Sequence, residues 1–238
     1  MPSFDLIGAI ALTASAAVMI GSLAAIQPEP PTARLRVGAT LGGWFALIVA
    51  LGALHVFDPD LGLGAPAMGI AVLAPVIVLA YAARRSPTVE AAMLAVPVPL
   101  LIGIHIVRVL GLFFVLLYAQ HRLPAPFAPV AGWGDIFIGV TALPVAWMVS
   151  RQVPGWRPVA LGWNALGVLD LVAAIALGVT SAEGSPIRLI VTEPSTALIS
   201  SLPWVLIPAF LVPLLLATHL AVFYRLASPA RESVAVGA

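Results

Sequence analysis

The sequence predicts an all-α fold, a bundle of seven transmembrane helices, and three observations carry that expectation. Of 238 residues, 61% are hydrophobic and only 9% are charged, against roughly a quarter charged in an ordinary soluble domain. The mean hydropathy is +1.10. The apolar residues come in runs of membrane-crossing length joined by short polar connections. No aqueous core could absorb that much apolar surface, which excludes a separate soluble domain.

A hydrocarbon core about 30 Å thick takes roughly 20 residues of helix to cross. That ruler places spans at residues 4–26, 37–57, 66–83, 98–119, 134–150, 159–179 and 202–224, in a single transmembrane domain over 1–228 followed by a short tail over 229–238. Phe4 to Ile26 has no basic segment before it and is long enough to cross, so it reads as a retained helix and not as a signal peptide. Residues 89–120 form one apolar stretch interrupted by Pro97 and Pro99. Proline lacks an N–H and disfavours helix in the residue before it, so the fourth span starts at Val98 and Thr88 to Val96 forms a short interfacial helix. In the seventh span Pro203, Pro208 and Pro213 each remove a backbone bond, which predicts a kinked or locally opened helix.

Arginine sets the orientation, because cytoplasmic loops retain it. With the N-terminus outside, Arg34, Arg36, Arg84, Arg85, Arg151, Arg157, Arg225 and Arg231 all fall in the cytoplasm. Arg122 and Arg188 fall outside, Arg108 lies within a span, and the loop holding Asp58 and Asp60 is external. The expected topology has the N-terminus outside and the C-terminus in the cytoplasm.

Composition removes whole classes of function. The absence of cysteine excludes disulfide frameworks, thiolate metal sites and cysteine nucleophiles. All eleven basic residues are arginine, so there is no lysine to form a Schiff base and no covalently held retinal. Ala, Gly, Pro and Arg in abundance without Lys resemble the coding of a GC-rich bacterial genome, which points to a bacterial cytoplasmic (inner) membrane. A net charge of +1 argues against nucleic acid as a partner. No HExxH, P-loop or GxSxG motif is present.

Helix 1 carries Ala9, Thr13, Ala17, Gly21 and Ala25 at a spacing of four, and helix 2 carries Gly38, Gly42, Ala46 and Ala50. Small residues permit close helix contact in lipid, so these stripes predict a tight antiparallel pair, with a homodimer seam as the alternative.

Ionisable residues inside a membrane are costly and either pair or line a wet cavity. The fourth span carries His105 and Arg108, the sixth Asp170 and the seventh His219, with Asn164, Asp135 and His55 as lesser candidates. A rise of about 1.5 Å per residue puts Arg108 and Asp170 at similar depth near the midplane, which predicts that they pair. His105 and Arg108, three apart, share a face. His105 and His219 at comparable depth could both ligate a haem or a metal, although a lone membrane histidine is more often a hydrogen-bonded packing residue. Pro124 to Asp135, reading PAPFAPVAGWGD, is expected to be irregular. Asp135 then either caps the fifth helix or faces a cavity from an external lid. Trp163, Gly167 and Asp170 share a face of the sixth helix, and Asn164 is turned about a third of a turn away.

Three runs, HIVR from His105, LPAPFAPVAGWGD ending at Asp135 and WNALGVLDL from Trp163, together resemble an uncharacterised family of bacterial multi-pass membrane proteins. The resemblance implies that His105, Arg108, Asp135, Asn164 and Asp170 belong to a shared motif set, and it implies no activity. The leading reading is a protein that binds or transports a small molecule or ion at His105, Arg108, Asp135, Asn164, Asp170 and His219, without a cofactor. The alternatives are a redox protein or enzyme with haem or metal on His105 and His219, and a non-catalytic assembly or sensory subunit.

Overall fold

The computed structural model describes residues 2–28 and 31–227. All regular structure among them is helical. Seven helices are long and apolar enough to cross a membrane, which makes the chain a multi-pass membrane protein by length and composition. The expected tail over 229–238, with Arg231, lies outside the described residues.

The first two spans are α1 (Pro2–Ala25) and α2 (Pro31–Ala53). Helix 2 begins six residues before the expected Val37 and stops four before Phe57, because the chain turns at His55, whose φ is 56°. The third span, α3 (Ala65–Arg85), leads into α4 (Pro87–Leu94). Ser86 caps α4 by accepting from the Val89 N–H at 3.4 Å, and Pro87 takes the first position, where a missing N–H is harmless. The short helix expected over Thr88 to Val96 is found over Pro87–Leu94, and the end of the seventh span fastens it. Tyr224 donates to Glu90 Oε1 at 2.7 Å, and Arg225 donates to the carbonyls of Leu94 and Val96.

The fourth span is a composite of α5 (Val98–Gly103), a 3₁₀ segment (Ile104–Gly111) and α6 (Leu112–Ala119). After it come α7 (Phe127–Ser150), α8 (Trp156–Ser181) and a short 3₁₀ turn (Thr196–Ser200). The seventh span opens with one π turn (Ile207–Leu211) and continues as α9 (Val212–Ala227). It starts at Ile207 and not at the expected Leu202. The local opening expected from the prolines is this π turn, in which the Val212 N–H reaches back five residues to the Ile207 carbonyl. Pro213 has no N–H for the Ala209 carbonyl, and the wider turn accommodates that gap.

The seventh span is the centre of the bundle, with 72% of its most apolar stretch buried against 6–44% for the other six. Helix α1 turns Leu12, Ala16, Met19 and Leu23 inward, and Gly8 lies against the Trp204 ring. Helices α1 and α2 are neighbours, but the predicted small-residue stripes do not join them. A side-chain carbon at Gly38 would meet Ala24 at 3.6 Å, whereas Gly21 and Gly42 face open space. The larger face of α1 gains more dispersion contact against Trp204 and the seventh span, so it takes the inward position and leaves Thr13, Ala17 and Gly21 outside.

Candidate functional site

Local backbone geometry in the fourth span builds the site. A 3₁₀ helix has three residues per turn, so positions three apart eclipse one another. His105, Arg108 and Gly111 therefore form one line, and all three are buried. Gly111 backs onto Gly132 of α7. A side-chain carbon on Gly111 would come within 2.7 Å of the Gly132 carbonyl oxygen, and one on Gly132 within 2.9 Å of the Gly111 oxygen. Gly139 approaches the Val109 nitrogen in the same way, at 2.6 Å. The two backbones run so close that the short side chain of Asp135 reaches the guanidinium.

Arg108 is the hub. Its Nε donates to Asp135 Oδ1 at 2.7 Å, Nη2 pairs with Asp170 Oδ2, and Nη1 donates to the Gly167 carbonyl at 3.3 Å. The Arg108 side chain is 0% exposed, and the two carboxylate side chains are each 14% exposed. Nη1 also lies 3.1 Å from His219 Nε2. Arginine offers only donors, so Nε2 accepts and the imidazole proton sits on Nδ1. His219 Nδ1 then donates to Asn164 Oδ1 at 2.7 Å, and Asn164 Nδ2 donates to the His219 carbonyl at 3.0 Å.

The same count fixes His105. Thr218 uses its single hydroxyl hydrogen on the Leu215 carbonyl at 2.7 Å, so its oxygen accepts from His105 Nε2 at 3.0 Å. His105 Nδ1 remains a bare acceptor, buried and without a partner among the described residues. The two imidazoles pack at 4.0 Å between centroids. Trp163 walls both rings, at 5.4 Å from His105 and 5.6 Å from His219, and its Nε1 donates to Thr141 Oγ1 at 2.9 Å.

All six candidate positions, His105, Arg108, Asp135, Asn164, Asp170 and His219, thus come together in one network. His55 does not join it and lies exposed in the turn after α2. Two expectations are corrected. Asp135 neither caps the fifth helix nor sits on a lid, because α7 begins at Phe127 and Asp135 lies inside it. Pro129 is the third residue of α7, in its first turn, where proline is tolerated, so the proline-rich run starts a helix. Asn164 is turned from Asp170 as expected, yet α8 inserts with Asn164 and Gly167 both buried and Asp170 at their edge, so both sides are used. The Arg108–Asp170 pair forms, but Asp135 shares the same guanidinium.

Thr218, Thr141, Gly111 and Gly134 escape a reading of charge alone. Gly134 lies directly against the Asp170 carboxylate, in space that any side-chain carbon would take. The signals available were Thr218 beside His219 and the glycines flanking Trp133 just before Asp135. A cavity of ≈ 20 Å³ adjoins the hub, walled by Leu12 of α1, Arg108, Asp135, and Ile207 and Leu211 of the π turn. That is room for about one water molecule. Among the described residues no three His, Asp or Glu side chains gather as a metal-ligand set.

Seven apolar spans around a polar hub buried within them define the class, a multi-pass helical membrane protein with an intramembrane ionisable cluster. Residues 65–227 match the family described as Domain of unknown function (DUF8737), and the chain belongs to that family. The match runs from the first residue of α3 to the last of α9 and contains every residue of the cluster. No curated protein and no solved structure matches the chain.

Proposed function

We propose that the protein binds and transports a small solute or ion across a bacterial cytoplasmic membrane, with the Arg108 cluster as its binding site. The carrying observation is a charge count. One guanidinium faces two carboxylates, and both imidazoles are neutral in the hydrogen-bond pattern. With both aspartates ionised the cluster holds one surplus negative charge, in a region where a charged side chain costs at least about 2.5–3.5 kcal/mol. Each aspartate spends one oxygen on Arg108, while Asp135 Oδ2 and Asp170 Oδ1 have no hydrogen-bond donor among the described residues. A lock between helices is complete with one carboxylate. The second, with a free oxygen on the cavity, fits a site whose occupant brings the missing positive charge. Thermal denaturation of purified protein, run with monovalent metal cations, small ammonium solutes and across pH, tests the reading. The expected result is stabilisation by at least one of these, lost in Asp135→Asn. Midpoints insensitive to all of them would overturn it.

The N-terminus is assigned outside and the C-terminus to the cytoplasm on the arginine bias. The packing is consistent with it. Gln27, Arg34, α4 and Arg225 meet at one end of the bundle, and Asp5, Arg122 and Trp204 meet at another place well removed in sequence. Cysteines at Asp60 and Arg85 should label from opposite faces of intact cells, and labelling of both from outside would reverse the assignment.

The haem reading needs His105 Nε2 and His219 Nε2 released from Thr218 and Arg108, and a macrocycle inserted between rings now 4.0 Å apart. A colourless preparation is expected. A Soret band lost in His105→Ala would restore that reading.

A further inference from the structure

The charge count leaves one positive charge to be supplied, and the hydrogen-bond pattern names the places where a proton could supply it. One is a carboxylate oxygen. Asp135 Oδ2 and Asp170 Oδ1 both accept nothing among the described residues, and of the two carboxylates Asp135 is the one that lines the ≈ 20 Å³ cavity, which makes it the seat. The other is His105 Nδ1, a fully buried acceptor with no donor among the described residues. These lie on opposite sides of Arg108 along the fourth span. His105 precedes Arg108 by one 3₁₀ turn, and Asp135 packs against Gly111, one turn beyond. At about 2.0 Å per residue in a 3₁₀ helix, the two levels are about 12 Å apart.

We infer that the ion handled by this site is the proton, and that the cluster holds a single exchangeable one with two alternative seats, Asp135 and His105, on either side of Arg108. The inference rests on the binding-site reading above and narrows its ligand. With the proton on Asp135, Arg108 and Asp170 remain a neutral pair beside a neutral imidazole. With the proton on His105, two cations face two carboxylates. Either occupancy alone brings the cluster to zero charge, and a second proton would make it a buried cation, so one seat filled disfavours the other. In passing between them the proton leaves the Asp135 O–H bond and forms the His105 Nδ1–H bond, leaving a carboxylate and an imidazolium, with no electron transferred.

The two seats are not equivalent: a proton on His105 lies beside the Arg108 cation, so Asp135 is the resting seat. His105 faces His219 of the seventh span, Arg108 of its own span and the uncharged Trp163 of α8. Asp135 faces Arg108 and, across the same guanidinium, the Asp170 carboxylate of α8, whose negative charge favours a proton on Asp135, and α1 brings Leu12 to the cavity beside it. A metal cation would need several oxygen ligands at once, and a cavity with room for about one water, with Asp135 its one carboxylate, does not offer them. A proton needs one lone pair.

The test uses the full-length protein in liposomes loaded with a pH-reporting dye, with a potassium diffusion potential driving protons inward. Wild-type protein is expected to acidify the interior. Asp135→Asn, which keeps the shape and the Arg108–Asp170 pair, and His105→Gln should each fall to the rate of protein-free liposomes. His55→Asn, remote from the cluster, should match wild type. The chain has four histidines, so ¹⁵N-histidine spectra resolve the seats independently of flux. On acidification His105 should become imidazolium in wild type and stay neutral in Asp135→Asn, where no charge remains to be balanced. Thr218→Val keeps every charge and removes the acceptor of the His105 Nε2–H bond, so it should move the His105 signal and, because the two seats share one proton, shift the intensity of the protonated Asp135 carboxyl band with it; a His105 change with no response at Asp135 would overturn the shared proton. Sodium or potassium flux, or stabilisation by those cations, without proton entry and without a change at His105 would overturn the proton while leaving the binding site standing. No flux and no stabilisation by any ion would overturn both.

Discussion

Two arginine–aspartate contacts in this protein use the same chemistry with opposite consequences. At the edge of the bundle Arg122 donates from Nη2 to Asp5 Oδ2 at 3.1 Å, its Nη1 lies 2.9 Å from Oδ1 as a charge contact without hydrogen-bond geometry, and Trp204 Nε1 donates to the same carboxylate. Inside the bundle Arg108 gives Asp135 and Asp170 one bond each. The edge pair likewise rests on one hydrogen bond, but its side chains are 16% and 34% exposed, and one charge meets one charge. The inner guanidinium is 0% exposed and outnumbered two to one. Solvation and stoichiometry, not bond geometry, separate a staple from a site.

The sharpest way to break that contrast is Arg108→Gln, which strands two carboxylates and removes the donor that orients His219. A loss of roughly 3–5 kcal/mol is expected in detergent denaturation, as for a buried pair broken from one side. Adding Asp170→Asn should recover part of it, with a coupling above about 0.5 kcal/mol in the double-mutant cycle. Additive effects would mean that the inner contact behaves like the edge one. Next in size is Gly167→Ala, whose added carbon would overlap the His219 ring, itself held by Asn164 and Arg108. Overpacking there should cost about 1–3 kcal/mol and shift the His219 ¹⁵N resonances. An unchanged His219 signal would show that the ring is not seated on α8. The smallest effect is expected from Asp5→Asn, roughly 0–1 kcal/mol and shrinking with added salt. A salt-independent loss as large as that of Arg108→Gln would erase the distinction between the two clusters.

Much of this arrangement was legible in residue types. The seven apolar runs, the break before Val98 and the short helix beyond Ser86 follow from hydropathy and proline chemistry. The pairing of Arg108 with Asp170 followed from depth alone. What sequence obscured was the azimuth of side chains and the local winding. Nothing in the residues Ile104 to Gly111 announces 3₁₀ geometry, yet that winding is what puts His105 and Arg108 in register. Proline misled at Pro129, where breaking chemistry was read into the first turn of a helix, which tolerates it. Asn164 was named as a candidate, but its partner was not legible, because its azimuth differs from that of Asp170. The neighbours of α8 on two sides use Asn164 for His219 and Asp170 for Arg108. Thr218 carries no charge, and its role shows only once the hydrogens on His105 are counted.

The touching backbones at Gly111 and Gly132 bear on mechanics as much as on packing. With carbonyl against Cα there is no side-chain cushion to compress, so the fourth and fifth spans can neither roll nor slide past one another without a collision. They form a single stiff paddle that carries Arg108 and Asp135 together. The seventh span opposite begins with a π turn whose bonding is already interrupted at Pro208 and Pro213, the softest joint available beside the cavity. A hinge at this joint would swing His219 away from Arg108 while the Arg108–Asp135 pair stays with the fourth and fifth spans.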